Sequence, residues 1–249
     1  RIGPNAEKVV MTPAQIQDFN RKNKARPLDT KDIDGNPYSI RGVVAGKDII
    51  GVQFYLEDPL TIKSFPGDSL RVRLGMKRKY IESGKWWDRL HLPLPEIRKR
   101  EMLDQFNESA VPNTIVPRYG VLAHHTMVRS APADQPAYWG QNGFNDVLAV
   151  TSLETCMPVA ILHQSKNGDW LYIKSENSFG WIPTLDVAEA DIPAIRRLAE
   201  PKDFIVALAH KIPVYADKAC QVFLSDIYQG TKIPLVSKST AAYQVQMPF

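Results

Sequence analysis

Gly168-Asp169-Trp170-Leu171-Tyr172-Ile173-Lys174 is answered a few residues on by Ser178-Phe179-Gly180-Trp181-Ile182-Pro183. Gly168-Asp169 is a turn signal, and β-branched and aromatic residues follow it. Gly180 interrupts the chain just before a second short apolar run that opens with a tryptophan. The pattern predicts a β-hairpin. Side chains alternate across a strand, so Leu171 and Ile173 share one face while Trp170 and Tyr172 share the other. Both faces are apolar, which argues against a sheet wetted on one side and demands cover on each. A small closed barrel with an aromatic groove on its outside meets that demand.

The flanks have the same texture. From Val116-Pro117-Arg118 onward, short apolar runs at 120–128, 147–150 and 159–163 precede the hairpin, each bounded by turn residues. Strands this short and frequent belong to a small barrel or sandwich. Between the first two runs lies a loop, 129–145, carrying Pro132, Asp134, Pro136, Tyr138, Trp139, Gly140 and Gly143. Loops of that length in compact domains usually carry function.

Further along, the pattern returns. Leu122-Ala123-His124 is echoed by Leu208-Ala209-His210, and Val128 by Val214. Thr155, Pro158 and Val159 are echoed by Thr231, Pro234 and Leu235, and the Trp170 strand by Tyr243-Gln244-Val245. The shrinking offset fits a shorter loop in the second copy. That copy has no equivalent of Gly180-Trp181. An unpaired strand would be an exposed edge, so the expectation is a second barrel that is incomplete here and a gene that continues.

The residues before 116 read differently. Thr12-Pro13-Ala14-Gln15 is a helix start, with Thr12 as cap, Pro13 at the first helical position and Gln15 closing a capping box. Ile16, Phe19 and Asn20 follow at helical spacing until Pro27. Asp34-Gly35-Asn36-Pro37 is a turn, and 49–56 suits a strand or a short helix. The pattern over 64–75 is mixed, with Pro66-Gly67-Asp68 turning the chain. A second helix is predicted over 95–107, with Ile97, Met102, Leu103 and Phe106 as its seam.

The chain has 249 residues, 44% of them hydrophobic, and a net charge of +4. No apolar run approaches the length of a bilayer span. Arg1 in place of methionine fits a chain from which a signal peptide has been removed. Cys156 and Cys220 have no partners at metal-ligand spacing and read as small buried hydrophobes. Arg71, Arg73, Lys77, Arg78, Lys79, Lys85, Arg89, Arg98, Lys99 and Arg100 face only Glu82, Asp88 and Glu96 within the same stretch. Such a run either forms a solvated face or attracts a polyanion. Nucleic acid is disfavoured as that polyanion, because Trp86 and Trp87 are the only interleaved aromatics and no nucleic-acid motif is present.

Several short motifs taken together carry a resemblance. Tyr119-Gly120-Val121-Leu122, Arg129-Ser130-Ala131-Pro132, Phe144-Asn145-Asp146, Leu153-Glu154-Thr155, Pro158-Val159, Leu162-His163-Gln164-Ser165, Asp169-Trp170 and Gly180-Trp181-Ile182 resemble the first bacterial SH3 domain of cell-wall hydrolases of the NlpC/P60 family. Phe204-Ile205-Val206-Ala207, Val214-Tyr215-Ala216-Asp217 and the run from Gly230 through Leu235 resemble the second. Residues 12–23 are similar to the amino-terminal clip of those proteins. The resemblance implies a mainly β chain with some α: a helical and irregular clip over 1–115, a first SH3-like barrel over 116–190, a linker over 191–203 and a truncated second barrel over 204–249. It also implies that a papain-like domain follows in the parent protein and cleaves peptidoglycan stem peptides between D-glutamate and the diamino acid.

Within this chain no nucleophile is expected. Neither cysteine has the histidine arrangement that activates a thiolate. His124 and His125, adjacent in a predicted strand, point to opposite faces and make no joint site. No metal or cofactor is expected. The candidate substrate-binding residues lie on the long loop: Arg129 for a carboxylate, Asp134 or Asp146 for a free amino group, and Tyr138 and Trp139 for stacking or shape. In the bland alternative, Tyr138 and Trp139 close the barrel end and Asp146 caps a turn. The expected partners are peptidoglycan stem peptides, with an anionic envelope polymer on the basic stretch, in the periplasm or outside the cell. The alternative from another class is a stand-alone SH3b scaffold that binds envelope polymer or a protein.

Overall fold

The computed structural model describes residues 12, 14, 15, 18, 58–239 and 242–248. The chain divides into two units, Arg1–Leu56 and Glu57–Phe249. In the first, the Thr12 amide donates to Gln15 Oε1 at 2.7 Å and the Gln15 amide donates to Thr12 Oγ1 at 3.3 Å. This is the expected capping box, and Ala14, Gln15 and Asp18 are helical. The expected seam at Ile16, Phe19 and Asn20, the turn at 34–37 and the apolar run at 49–56 lie outside the described residues.

The second unit begins with a short strand, β1 (Phe65–Pro66), and a helix, α1 (Gly67–Ser83). The chain was expected to turn at Pro66-Gly67-Asp68; instead it enters 17 helical residues there. The same residues serve a helix entry, with Pro66 as the extended N-cap residue and Asp68 as an acidic residue in the first turn. The helical period was hidden because Val72 and Met76 stand exposed beside the buried Leu70, Leu74 and Ile81. Strand β2 (Trp86–Trp87) follows, then α2 (Glu96–Asp104) and β3 (Thr114–Ile115), which pairs with β1. Helix α2 falls where expected and buries Leu103, with Phe106 buried just beyond it, but Ile97 is 52% exposed and no part of the seam.

Strands β4 (Arg118–Leu122), β5 (Thr126–Arg129), β6 (Tyr138–Trp139), β7 (Ala149–Leu153), β8 (Pro158–Gln164), β9 (Trp170–Lys174), β10 (Phe179–Pro183) and β11 (Val187–Glu189) make the first repeat. Seven of them form one sheet in the order β11-β4-β8-β9-β10-β5-β7. Its pairs are antiparallel, and β9 and β10 form the predicted hairpin with Trp181 opposite Tyr172. The fold is SH3-like and mainly β, but the ladder runs open from β11 to β7 rather than closing into the expected barrel.

Both faces of the hairpin are covered, by different partners. Leu171 and Ile173 pack with Leu122, Val128, Leu153, Val159, Ile161 and Ile182 inside the curled sheet. Trp170, Tyr172 and Trp181 pack with Leu70, Leu74, Ile81, Leu103 and Phe106 from the α1–α2 region. The aromatic groove expected outside the barrel is therefore filled by the segment before it. Full burial of a large apolar side chain contributes about 1.5–3 kcal/mol, so this shared core binds the two segments strongly. Gly180 is required where β10 meets β5, because a Cβ there would sit 2.5 Å from Val128 Cγ1 and 2.7 Å from the Arg129 carbonyl oxygen.

The segment expected as a linker holds a helix, α3 (Ile192–Ala199), capped by Asp191, whose Oδ1 accepts from the Ala194 amide at 2.7 Å. Strands β12 (Phe204–Val206), β13 (Lys211–Tyr215), β14 (Phe223–Tyr228), β15 (Lys232–Lys238) and β16 (Tyr243–Val245) make the second repeat. Its pairings β12–β15, β15–β16 and β13–β14 reproduce β4–β8, β8–β9 and β5–β7. In the first repeat β10 joins β9 to β5; among the described residues the second has no counterpart, and its strands stay in separate sheets.

The strands correspond, but several residue pairings expected between the repeats shift by one or two positions. The Cys156 amide donates to the Leu122 carbonyl in a turn closed by Met157 and Glu154, and the Gly230 amide donates to the Ala207 carbonyl in a turn closed by Thr231 and Tyr228. Cys156 and Gly230 both have positive φ, 68° and 91°. They are the equivalent pair, so Thr231 answers Met157 rather than Thr155, Lys232 and Ile233 answer Pro158 and Val159 in place of Pro234 and Leu235, and Ala207 answers Leu122 in place of Leu208. Different residue types meet the same left-handed requirement, which left no matching letters to align.

His124 and His125 lie in a bend between β4 and β5, not in a strand, and both reach the second repeat. The His124 Nδ1 is 3.2 Å from Ser225 Oγ, and the His125 ring packs 4.3 Å from that of Tyr228. Cys156 is buried as expected, whereas Cys220 is exposed, on the β13–β14 loop. Among the described residues no helix is long and apolar enough to cross a membrane.

Candidate functional site: an aromatic cleft

The 129–145 loop is anchored at its base by a charge pair. Arg129 Nη1 donates to Asp146 Oδ2 at 2.9 Å and Nη2 donates to the Gln135 carbonyl at 3.0 Å. Asp146 Oδ1 accepts from the amides of Ala137 at 3.1 Å and Leu148 at 3.0 Å. A carboxylate placed between two backbone donors and a guanidinium fixes both ends of the loop at one point. The Val147 amide adds a bond to the Ala137 carbonyl at 2.8 Å.

That anchor sets the direction of β6. This strand leaves the main sheet and pairs instead with β2, Trp139 opposite Trp86 and Tyr138 opposite Trp87. Trp86 is buried, and its Nε1 donates to the Ile81 carbonyl at 3.0 Å near the end of α1. Gly84 allows this, since a Cβ there would fall 1.9 Å from the indole. Tyr80 lies 4.9 Å from Trp86, and Trp139 meets Trp86 at 5.1 Å and 70°, an edge-to-face contact. Trp139 remains 67% exposed. Tyr138 is half-buried and stacks on His91 at 6.3 Å.

Two adjoining clefts open here and share Trp139 and Gly140. One, of about 440 Å³, runs along Tyr80, Ser83, Gly84, Lys85, Trp86 and Trp87. The other, of about 510 Å³, runs along the loop from Gln141 to Asn145. Of the five expected site residues only Trp139 lines them. Arg129 and Asp146 hold the loop, Tyr138 packs on His91, and Asp134 is exposed beside the loop base. The expectation from sequence did not include Tyr80 and the Trp86-Trp87 pair as site residues. The adjacent tryptophans were visible, but nothing local ties them to a loop some fifty positions away.

Half of the ten basic residues of the 71–100 stretch have a partner within the protein, Arg98 pairing with Glu101 among them. Arg71 binds Asp68 and the Val111 carbonyl, Arg78 binds Glu108 and the Leu103 carbonyl, and Arg73 lies 3.9 Å over the Phe179 ring. Lys99 is buried and donates to Glu96 and to the Gly84 carbonyl, both at 2.8 Å. A cation at that carbonyl suits the negative end of α1. Lys77 has its pKa lowered, first by burial and then by Arg73.

The cysteines offer little chemistry. Burial pushes the Cys156 thiol up to about 12, so it stays protonated near neutral pH. Burial likewise lowers the pKa of His163, whose Nε2 donates toward the carbonyls of Phe106 and Asn107. Among the described residues no cluster of three or more His, Cys, Asp or Glu is placed to hold a metal ion.

Comparison with known proteins bears on this region directly. Residues 139–183, from Trp139 to the end of β10, match the SH3 domain of the SH3b1 type. Among solved structures the chain is similar to an NlpC/P60 endopeptidase from Photobacterium damselae subsp. piscicida, with a TM-score of 0.60 at 16% identity over 79% of this chain. The match spans 48% of that protein, so this chain covers about half of its length. No curated protein matches the sequence. The residues that build the cleft's outer wall and the hairpin thus match an SH3 domain of the SH3b1 type, set in a fold similar to that of an NlpC/P60 endopeptidase.

Proposed function

We propose that this chain is the non-catalytic part of a peptidoglycan endopeptidase, one that binds cell wall and positions stem peptides for cleavage between D-glutamate and the diamino acid. It works in the periplasm or outside the cell. The observation that carries this reading is that the SH3b1-type segment starts at Trp139, the exposed ring of the aromatic cleft, within a fold like that of an NlpC/P60 endopeptidase. In this reading Tyr138 and Trp139 shape the wall that meets the wall polymer, and Asp134 stands exposed for a free amino group. Arg129 and Asp146 act by holding the loop.

Retention on purified peptidoglycan at rising salt tests this. The chain is expected to remain bound at salt that screens exposed charges, because the cleft is mostly aromatic and amide. Binding that vanishes at moderate salt would assign it to the remaining exposed cations, and no retention at any salt would sink the proposal. The chain alone is expected to release no stem-peptide fragments.

A further inference from the structure

We propose that the two clefts astride Trp139 form one binding groove for the glycan strand, a linear polymer of N-acetylated amino sugars, as distinct from the stem peptide. The proposal rests on the cell-wall reading above and names the part of the polymer this surface takes.

Three features point to a sugar polymer. The first is the platform. Trp139 presents an exposed ring whose position is fixed by the edge contact with Trp86, by the β2–β6 pairing and by the Arg129–Asp146 anchor below the loop. The face of a pyranose carries C–H groups with slight positive charge, and an indole face is negative, so the two stack without any ionic group. The second is continuity. The clefts meet at Trp139 and Gly140, so the groove extends to either side of the platform, as a chain longer than one ring requires.

The third feature is charge. Among the described residues no aspartate or glutamate lines either cleft and Lys85 is the one cation, while Ser83, Gln141, Asn142 and Asn145 supply neutral hydrogen-bonding groups. A ligand with a free ammonium group would need a carboxylate at its binding site. A polyanion such as nucleic acid would need several cations. Hydroxyl and acetamido groups need neutral donors and acceptors, and a single lysine accommodates an occasional carboxylate on the sugar.

Titration of the full chain with β-1,4-linked N-acetylglucosamine hexamer, followed by tryptophan fluorescence and calorimetry, tests the inference. Saturable binding is expected. Trp139→Ala should weaken it about tenfold or more while leaving the circular dichroism unchanged, and Trp139→Phe should keep most of it. No saturable binding of the hexamer by a chain that peptidoglycan retains would overturn the glycan proposal and leave the cell-wall reading standing. So would hexamer binding unaffected by Trp139→Ala, or a free stem tetrapeptide that binds in a Trp139-dependent way while the hexamer does not. Failure of retention on peptidoglycan together with hexamer binding would instead remove the cell-wall reading alone.

Discussion

Trp86 and Trp139, which are 53 positions apart in the chain, face each other as register partners in a two-residue ladder, their rings 5.1 Å apart and nearly perpendicular. One is buried and the other mostly exposed. That division predicts opposite phenotypes. Trp86→Ala removes a core ring and its hydrogen bond to Ile81, and should cost about 3–5 kcal/mol in urea unfolding. Trp139→Ala should change stability by no more than about 0.5 kcal/mol and lose ligand binding instead. Equal stability losses in the two variants would contradict the division.

The loop anchor gives a second expectation. Asp146→Ala leaves the Arg129 guanidinium mostly buried without its carboxylate, and frees the amides of Ala137 and Leu148. Removing one member of such a pair costs about 3 kcal/mol or more, since the other is left uncompensated. Arg129→Met with Asp146→Leu should recover part of the loss. Unfolding midpoints of the three variants check this, and a Asp146→Ala variant as stable as the parent would show that the pair anchors nothing.

His163 sets a pH dependence. Burial holds its pKa below the ordinary value near 6.5, so the folded state favours the neutral ring. Between the folded and unfolded pKa values the unfolded chain binds more protons, and stability therefore rises with pH. The contribution is complete above about pH 6.5 and is lost as pH falls through the lowered folded value. His163→Gln should flatten the stability profile below neutrality relative to the parent, as read by denaturant unfolding from pH 5 to pH 8. Parallel profiles would exclude the histidine as the source.

The two cysteines should separate cleanly under a thiol reagent. Cys220 is exposed and should react in the native protein, whereas Cys156 is buried with its thiol pushed up to about 12 and should react only after unfolding. One rapid equivalent, absent in Cys220→Ser, is the expected count from an absorbance assay in native buffer. Two rapid equivalents would mean that the turn at Cys156 opens readily.

The hairpin of β9 and β10, the alternation of Leu171 and Ile173 against Trp170 and Tyr172, the capping box at Thr12 and the internal repeat were all legible as local chemistry. Turn residues, strand alternation and caps act over a few positions, so adjacent residues suffice to specify them. What covers Trp170, Tyr172 and Trp181 was not legible, because the helical period of α1 is blurred by exposed Val72 and Met76 and nothing in the predicted α2 names the face it packs against. Nor was the cleft. Whether Trp139 closes a barrel or stands out as a platform depends on where β6 finds its partner, and that partner is β2, well outside the repeat. Local patterns gave an apolar hairpin that needed cover on both faces; packing between distant segments assigned one face to the core, the other to α1 and α2, and left the Trp139 ring exposed beside the cleft. Such assignments rest on contacts between residues far apart in the chain, whose partners no short window contains.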